Sequence, residues 1–327
     1  GTDRGRTPHH HAGEGRGVTL GLLRAELLRL FSDRKVAVVA VLVLGIGFWI
    51  SSSLVEVLKP YTALDWEDAQ RQSNDAQINL DVICGSGTSG VDCSSLPWSV
   101  AVEGFLRPQL NFEQLAITTL GTTTQAGLFA VVVLITVMIG SEFNTGSIGT
   151  QLTFTPRRMP LLWAKVAASA ICGVCLMVFW SVSMVGLDVF LFLNLRGAEG
   201  LVAGGTLAAQ IGRALLMGAV MAALAAMVTM ALASTVRTWV LISAGLVLSQ
   251  FLETSKNLAQ IAGLLPTTNM LSLINGEWTR TIYNGEGVRQ EPTPHIDYAY
   301  SLGYAVFWLV VFGIWASVSF SRRNILK

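Results

Sequence analysis

The sequence predicts an all-α polytopic membrane protein with six transmembrane helices. Three observations carry this. Hydrophobic residues are 52% of the 327 and charged residues only 13%, about half the charged share of an ordinary soluble domain. The mean hydropathy is +0.54. The charges are also clustered, so that long uncharged runs separate them. So much apolar surface excludes disorder. Long apolar spans in place of a basic patch on a soluble fold exclude a nucleic-acid partner.

Taken in order, residues 1–17 are rich in Gly, Arg and His with no apolar period and are expected to form a disordered cytoplasmic tail. His9, His10 and His11 lie there, and metal binding by such a tail is not expected. The tail lacks the long apolar segment of a signal peptide, so the first span is expected to stay in the mature protein. In residues 18–35, Leu20, Leu23, Leu27 and Leu30 recur at helical spacing, with Arg24, Glu26, Arg29 and Arg34 on other faces. This predicts an amphipathic interfacial helix whose arginines face anionic lipid headgroups.

Residues 36–321 are read as the six-helix transmembrane domain. Val36–Val55 gives 20 uncharged residues, Gln114–Ser141 gives 28, Val166–Leu187 gives 22 and Ala214–Val236 gives 23. Thr238–Leu252 gives 15 and Tyr298–Ser321 gives 24. A bilayer core needs about 20 helical residues, so the run of 15 must borrow flanking residues or tilt. Asn257–Gly276 is also uncharged, but Pro266, Thr267, Thr268, Asn269 and Asn275 interrupt it. It reads as re-entrant or outer helices before the last span.

Six spans place both termini on one side. With that side cytoplasmic, 14 of the 22 basic residues are inside, including Arg237, Arg322, Arg323 and Lys327, as the positive-inside rule requires. Residues 322–327 are then a cytoplasmic C-terminus, and 56–113 and 253–297 are an external loop and an external cap. The external loop is acidic and carries Cys84 and Cys93, with eight residues between them, on an oxidising side; a disulfide is expected. Cys172 and Cys175 lie within the third span, where Cys packs as a small hydrophobe.

No catalytic constellation is visible. No Lys follows a Gly, so no Walker A loop exists, and His295 is the only His outside the tail. The chain is not expected to be an enzyme or to bind a metal or cofactor itself. Asp188 and Arg213 lie in the third and fourth spans at matching depth, and an intramembrane ion pair is expected because an unpaired charge there is costly.

The loop 141–165 carries the functional signal. It holds Glu142-Phe143, Thr145-Gly146, the run Thr150–Phe154, Pro156-Arg157-Arg158 and Ala164-Lys165. In that order these motifs resemble the permease subunit of a bacterial type-2 ATP-binding-cassette exporter. Leu23-Arg24-Ala25-Glu26-Leu27 is similar to that family's N-terminal interfacial helix. The resemblance implies a coupling helix within 142–158 that docks on a separate cytoplasmic ATPase, present in two copies and holding ATP and Mg. Glu142 would hold the start of that helix or pair with Arg157 or Arg158, and Pro156 would end it. The resemblance also implies a second permease copy, with spans 2 and 5 lining the seam. Thr122, Thr123, Thr124 and Gln125, with Ser243, Ser249 and Gln250, would then face cargo or the partner helix. Membrane lipids are the remaining partner. The implied cargo is hydrophobic or amphiphilic: a drug, a lipid-like molecule or a peptide. The alternatives are a secondary transporter or channel, and a membrane scaffold or sensor using the external loop.

Overall fold

A computed structural model describes residues 14–32, 34–53, 55–86, 100–106, 109–154, 158–254, 263–284 and 287–322. The chain begins with α1 (Glu14–Ser32), α2 (Arg34–Ser53), α3 (Val55–Leu58) and α4 (Ala63–Ser86). A 3-10 turn, Val102–Phe105, precedes α5 (Phe112–Asn144), α6 (Ser147–Phe154), α7 (Arg158–Arg196), α8 (Gly205–Leu232) and α9 (Thr235–Thr254). Then come α10 (Pro266–Asn275), strands β1 (Glu277–Asn284) and β2 (Gly287–Asp297), and α11 (Tyr298–Arg322).

Five helices are long and apolar enough to cross a membrane: α2 from Val36, α5, α7, α8 and α11. By these helices the chain is a multi-pass membrane protein. The expected fifth span, α9, is a helix of 20 residues, but its apolar part, Thr235–Ser249, is too short to meet that standard.

The centre is α5, α7 and α8, which pack most extensively on one another. Leu115, Leu120 and Ile135 of α5, Leu162, Met177 and Trp180 of α7, and Ala222, Ala226 and Met230 of α8 are buried there. The α7–α8 crossing is close because Gly173 faces Gly218. A Cβ on Gly173 would collide with the Gly218 carbonyl oxygen and the Ala222 methyl. Small residues at a crossing let membrane helices approach to backbone contact. Around this centre, α11 packs on α8 and α7, α1 on α7, and α2 on α5 and α7.

Local chemistry sets the ends. Asn111 and Gln114 form a reciprocal capping box at the start of α5: the Asn111 side chain accepts the Gln114 N–H at 2.8 Å, and the Gln114 side chain accepts the Asn111 N–H at 3.2 Å. Gly146, at φ +70°, turns the chain from α5 into α6 in a conformation that glycine adopts without strain. Arg196 closes the far end of α7, donating to the carbonyls of Leu58 and Leu110 at 3.0 Å each.

The structure adds detail to three regions. Helix α1 starts at Glu14, inside the expected tail of residues 1–17; residues 1–13 lie outside the described part. The loop 56–113 is largely helical, since α4 runs 24 residues and is held to the 3-10 segment through Ser73 Oγ, which donates to the Val100 carbonyl at 2.7 Å. Within the described part of 253–297 after α9, a 3-10 turn at 263–264 precedes α10, and β1 and β2 then pair antiparallel as a hairpin, with Arg280 opposite Glu291 and Ile282 opposite Arg289. The run Trp278-Thr279-Arg280-Thr281-Ile282-Tyr283 is β-branched and aromatic, which suits a strand. The fold is thus all-α except for this hairpin. The end of the bundle with Glu142 and Lys165 is termed the basic end, and the opposite end the hairpin end.

Candidate functional site

At the basic end four charged side chains from three helices meet. Lys165 of α7 lies 2.9 Å from both carboxylate oxygens of Glu26 and 2.7 Å from Glu142 Oε2. Arg29 Nη1 lies 3.2 Å from Glu142 Oε1. Lys165 is 2% exposed, Glu142 6% and Glu26 8%. Two cations and two carboxylates balance, which is the condition under which buried charge is tolerated. The cluster joins α1, the end of α5 and the start of α7.

Helix α6 grows from this cluster. Arg29 Nη2 donates to Ser147 Oγ at 3.4 Å, and that hydroxyl in turn donates to the Glu142 carbonyl at 3.4 Å. Ile148 and Leu152 are buried beneath α6, while Thr150 and Thr153 are exposed on its outer face. A short helix between two long ones is thus rooted in buried charge and presents a free polar face.

The expected coupling residues fall as follows. Glu142 is central, and among the described residues its charged partners are Lys165 and Arg29. Arg158 instead donates to the Ser321 carbonyl of α11 at 3.0 Å. Pro156 and Arg157 lie outside the described residues. Phe143 packs partly buried against the core. Thr145 donates its hydroxyl to the Ser141 carbonyl at 3.0 Å, and Gly146 makes the turn. Glu26 and Arg29 were missed as site residues, although the signal was present. They stand three apart on one helix, so both can reach a single neighbour.

Asp188 and Arg213 do not pair. Asp188 is 1% exposed. Its Oδ1 accepts from Thr119 Oγ1 at 3.3 Å, and its Oδ2 has no hydrogen-bond partner. Arg213 turns to α10 instead, donating to the Asn275 carbonyl at 3.0 Å and lying over the Tyr298 ring at 5.5 Å. A cation at a helix C-terminus meets the negative end of its dipole, which competes with the distant carboxylate.

The polar residues expected along a path divide. Thr122 and Gln125 are exposed on α5, while Thr123 and Thr124 are buried. Thr123 donates to the Thr119 carbonyl at 2.7 Å. Ser243 is exposed on α9, whereas Ser249 is buried against Thr267, whose N–H donates to Ser249 Oγ at 3.3 Å. Gln250 follows in α9, its side chain outside the described part. Thr118, Thr122 and Gln125 form one exposed polar stripe on α5.

Cys172 and Cys175 are free, the first buried and the second exposed. Cys84, near the end of α4, is not among the free thiols. Cys93 lies outside the described residues, so the expected bridge stays an expectation. Among the described residues no three His, Cys, Asp or Glu side chains gather as metal ligands would. Compared with known proteins, the chain matches no family model, no curated protein and no solved structure.

Proposed function

We propose that this chain is the transmembrane subunit of an ATP-driven exporter. In this reading the basic end is cytoplasmic and α9 completes six spans. Helix α6 docks on a separate ATP-binding-cassette ATPase, two copies of which hold ATP and Mg. A second permease copy covers the polar stripe Thr118, Thr122 and Gln125, which would otherwise face lipid at a cost. Cargo is hydrophobic or amphiphilic.

One observation carries the reading: α6 has a free outer face, yet its root is locked to three helices by the Glu26–Lys165–Glu142–Arg29 cluster. A load on α6 therefore reaches α1, α5 and α7 together. The order of motifs around it, Glu142-Phe143, Thr145-Gly146 and Ala164-Lys165, supports the same reading. The test is affinity capture of the detergent-solubilised chain from its native membrane, with Thr150→Arg/Thr153→Arg as the variant. The reading expects an ATPase with the wild type and its loss with the variant, which leaves Ile148 and Leu152 in place. A wild-type chain that captures no ATPase in several detergents overturns it.

Asp188 favours a second reading, a proton-coupled transporter, because a buried carboxyl has one oxygen without a partner. Proton-driven flux in vesicles without ATP, lost in Asp188→Asn, would select it.

A further inference from the structure

A cavity of about 430 Å³ lies between α8, α9, α10 and α11, within the size range of small-molecule sites. It is separate from the charged cluster and from the α5 stripe. Its walls are almost wholly apolar and unusually deformable in composition: Met217 and Met221 from α8 and Met270 from α10 line it. Methionine adapts to ligands of irregular shape. From α11 come Tyr304, Trp308, Phe312 and Trp315. These lie on one helix face at spacings of four, four and three, so they extend about 16 Å along the axis.

The cavity has a polar end. Asn269 lines it and is 1% exposed. Its amide nitrogen is used twice, donating to the carbonyls of Gly263 and Leu265 at 2.8 and 2.9 Å. Its Oδ1 accepts nothing. Buried polar atoms are normally satisfied. Here an acceptor lacks a donor in an otherwise apolar cavity. A water molecule wants two to four polar partners and leaves the apolar length unfilled. A hydroxyl on an apolar body supplies the missing donor. Access is lateral: Leu241 of α9, at the cavity edge, is 46% exposed on a surface that includes Val240 and Leu248.

We propose that this cavity binds a membrane-borne alcohol, an apolar chain or ring system ending in one hydroxyl. The hydroxyl donates to Asn269 Oδ1, and the apolar body lies along Phe312 and Trp315. This stands independently of the export reading, since a resident lipid would occupy the cavity in a protein that transports nothing.

The experiment uses the full chain in phosphatidylcholine nanodiscs with a hexadecanol carrying a mid-chain diazirine. After irradiation, labelled peptides are mapped by mass spectrometry. Two competitors are compared, hexadecanol and its methyl ether, which accepts but cannot donate to Asn269. Labelling is expected to concentrate on α9, α10 and α11 residues of the cavity wall, and hexadecanol should compete about ten-fold better than the ether, as loss of one buried hydrogen bond implies. Gly245→Phe should cut labelling at least ten-fold. Gly245 lines the cavity and a Cβ there meets nothing within 4 Å, so the ring enters free space and the bundle is undisturbed. Equal competition by alcohol and ether, which needs no variant to fold, overturns the proposal. So does labelling spread over all lipid-facing helices and unchanged in Gly245→Phe.

Discussion

Replacing Lys165 by Met tests whether the charged cluster holds the basic end together. Lys165 is 2% exposed and touches two carboxylates. The wild-type cluster carries two negative and two positive charges. Lys165→Met leaves Glu142 with Arg29 but strands Glu26, buried to 8% exposure. Removing one partner of a buried ion pair costs about 3–5 kcal/mol. At about 2 °C lost per kcal/mol, the low end for 150–250 residues because this chain is longer, a fall of roughly 6–10 °C in the melting temperature is expected. Glu26→Gln alone leaves the two cations with one carboxylate and should also destabilise. The double variant restores neutrality around Arg29 and Glu142, so its loss should fall short of the two single losses added together, with coupling of about 1–3 kcal/mol. The assay is thermal unfolding of purified protein in one detergent, read by Trp fluorescence, for the four members of the cycle. A Lys165→Met protein that melts with the wild type, or losses that simply add, would refute the cluster as a structural unit.

Three further outcomes rest on other contacts. Gly173→Leu should force α7 from α8 and abolish a monodisperse peak in size-exclusion chromatography, whereas Gly186→Leu, with nothing within 4 Å of its Cβ, should behave as wild type. Ser249→Ala removes a polar contact of buried Thr267 and should cost about 1–3 kcal/mol, while Ser249→Ala/Thr267→Val should cost less than the sum of the two single changes in denaturant melts. Asp188→Asn removes a buried charge with one unpartnered oxygen and should hold or raise the melting temperature; a fall of several degrees would mean the carboxylate has a partner in the membrane-embedded protein.

Much of this fold was legible because charge is expensive in an apolar medium. The runs free of charge overlap α2, α5, α7, α8 and α11, and Thr145-Gly146 marked the turn at its place. Depth along a helix follows from such counting, but rotation about the axis does not. That is why Asp188 and Arg213, level with each other, were paired, whereas Arg213 points to the end of α10. The same blindness left Glu26 only on a face other than that of the leucines. Its burial depends on Lys165, 139 positions away. The hairpin was hidden for a different reason. Residues 277–297 mix Pro, charges and β-branched residues without a clear period, and the pairing partner that makes a strand is not in the strand itself.

The length of α7 has a mechanical consequence. Its 39 residues form one unbroken helix of about 58 Å. Lys165 is near one end and Asp188 lies 23 residues further on, about 35 Å away along the axis. Pro160 stands in the first turn, before Lys165, so no proline kinks the stretch between them. A tilt of about 5° pivoting at Lys165 would sweep Asp188 sideways by roughly 3 Å over that distance, about the width of a hydrogen bond. α7 is therefore a lever: a rocking too small to break contacts at the charged pivot is enough, at the far end, to exchange the partner of a buried carboxylate.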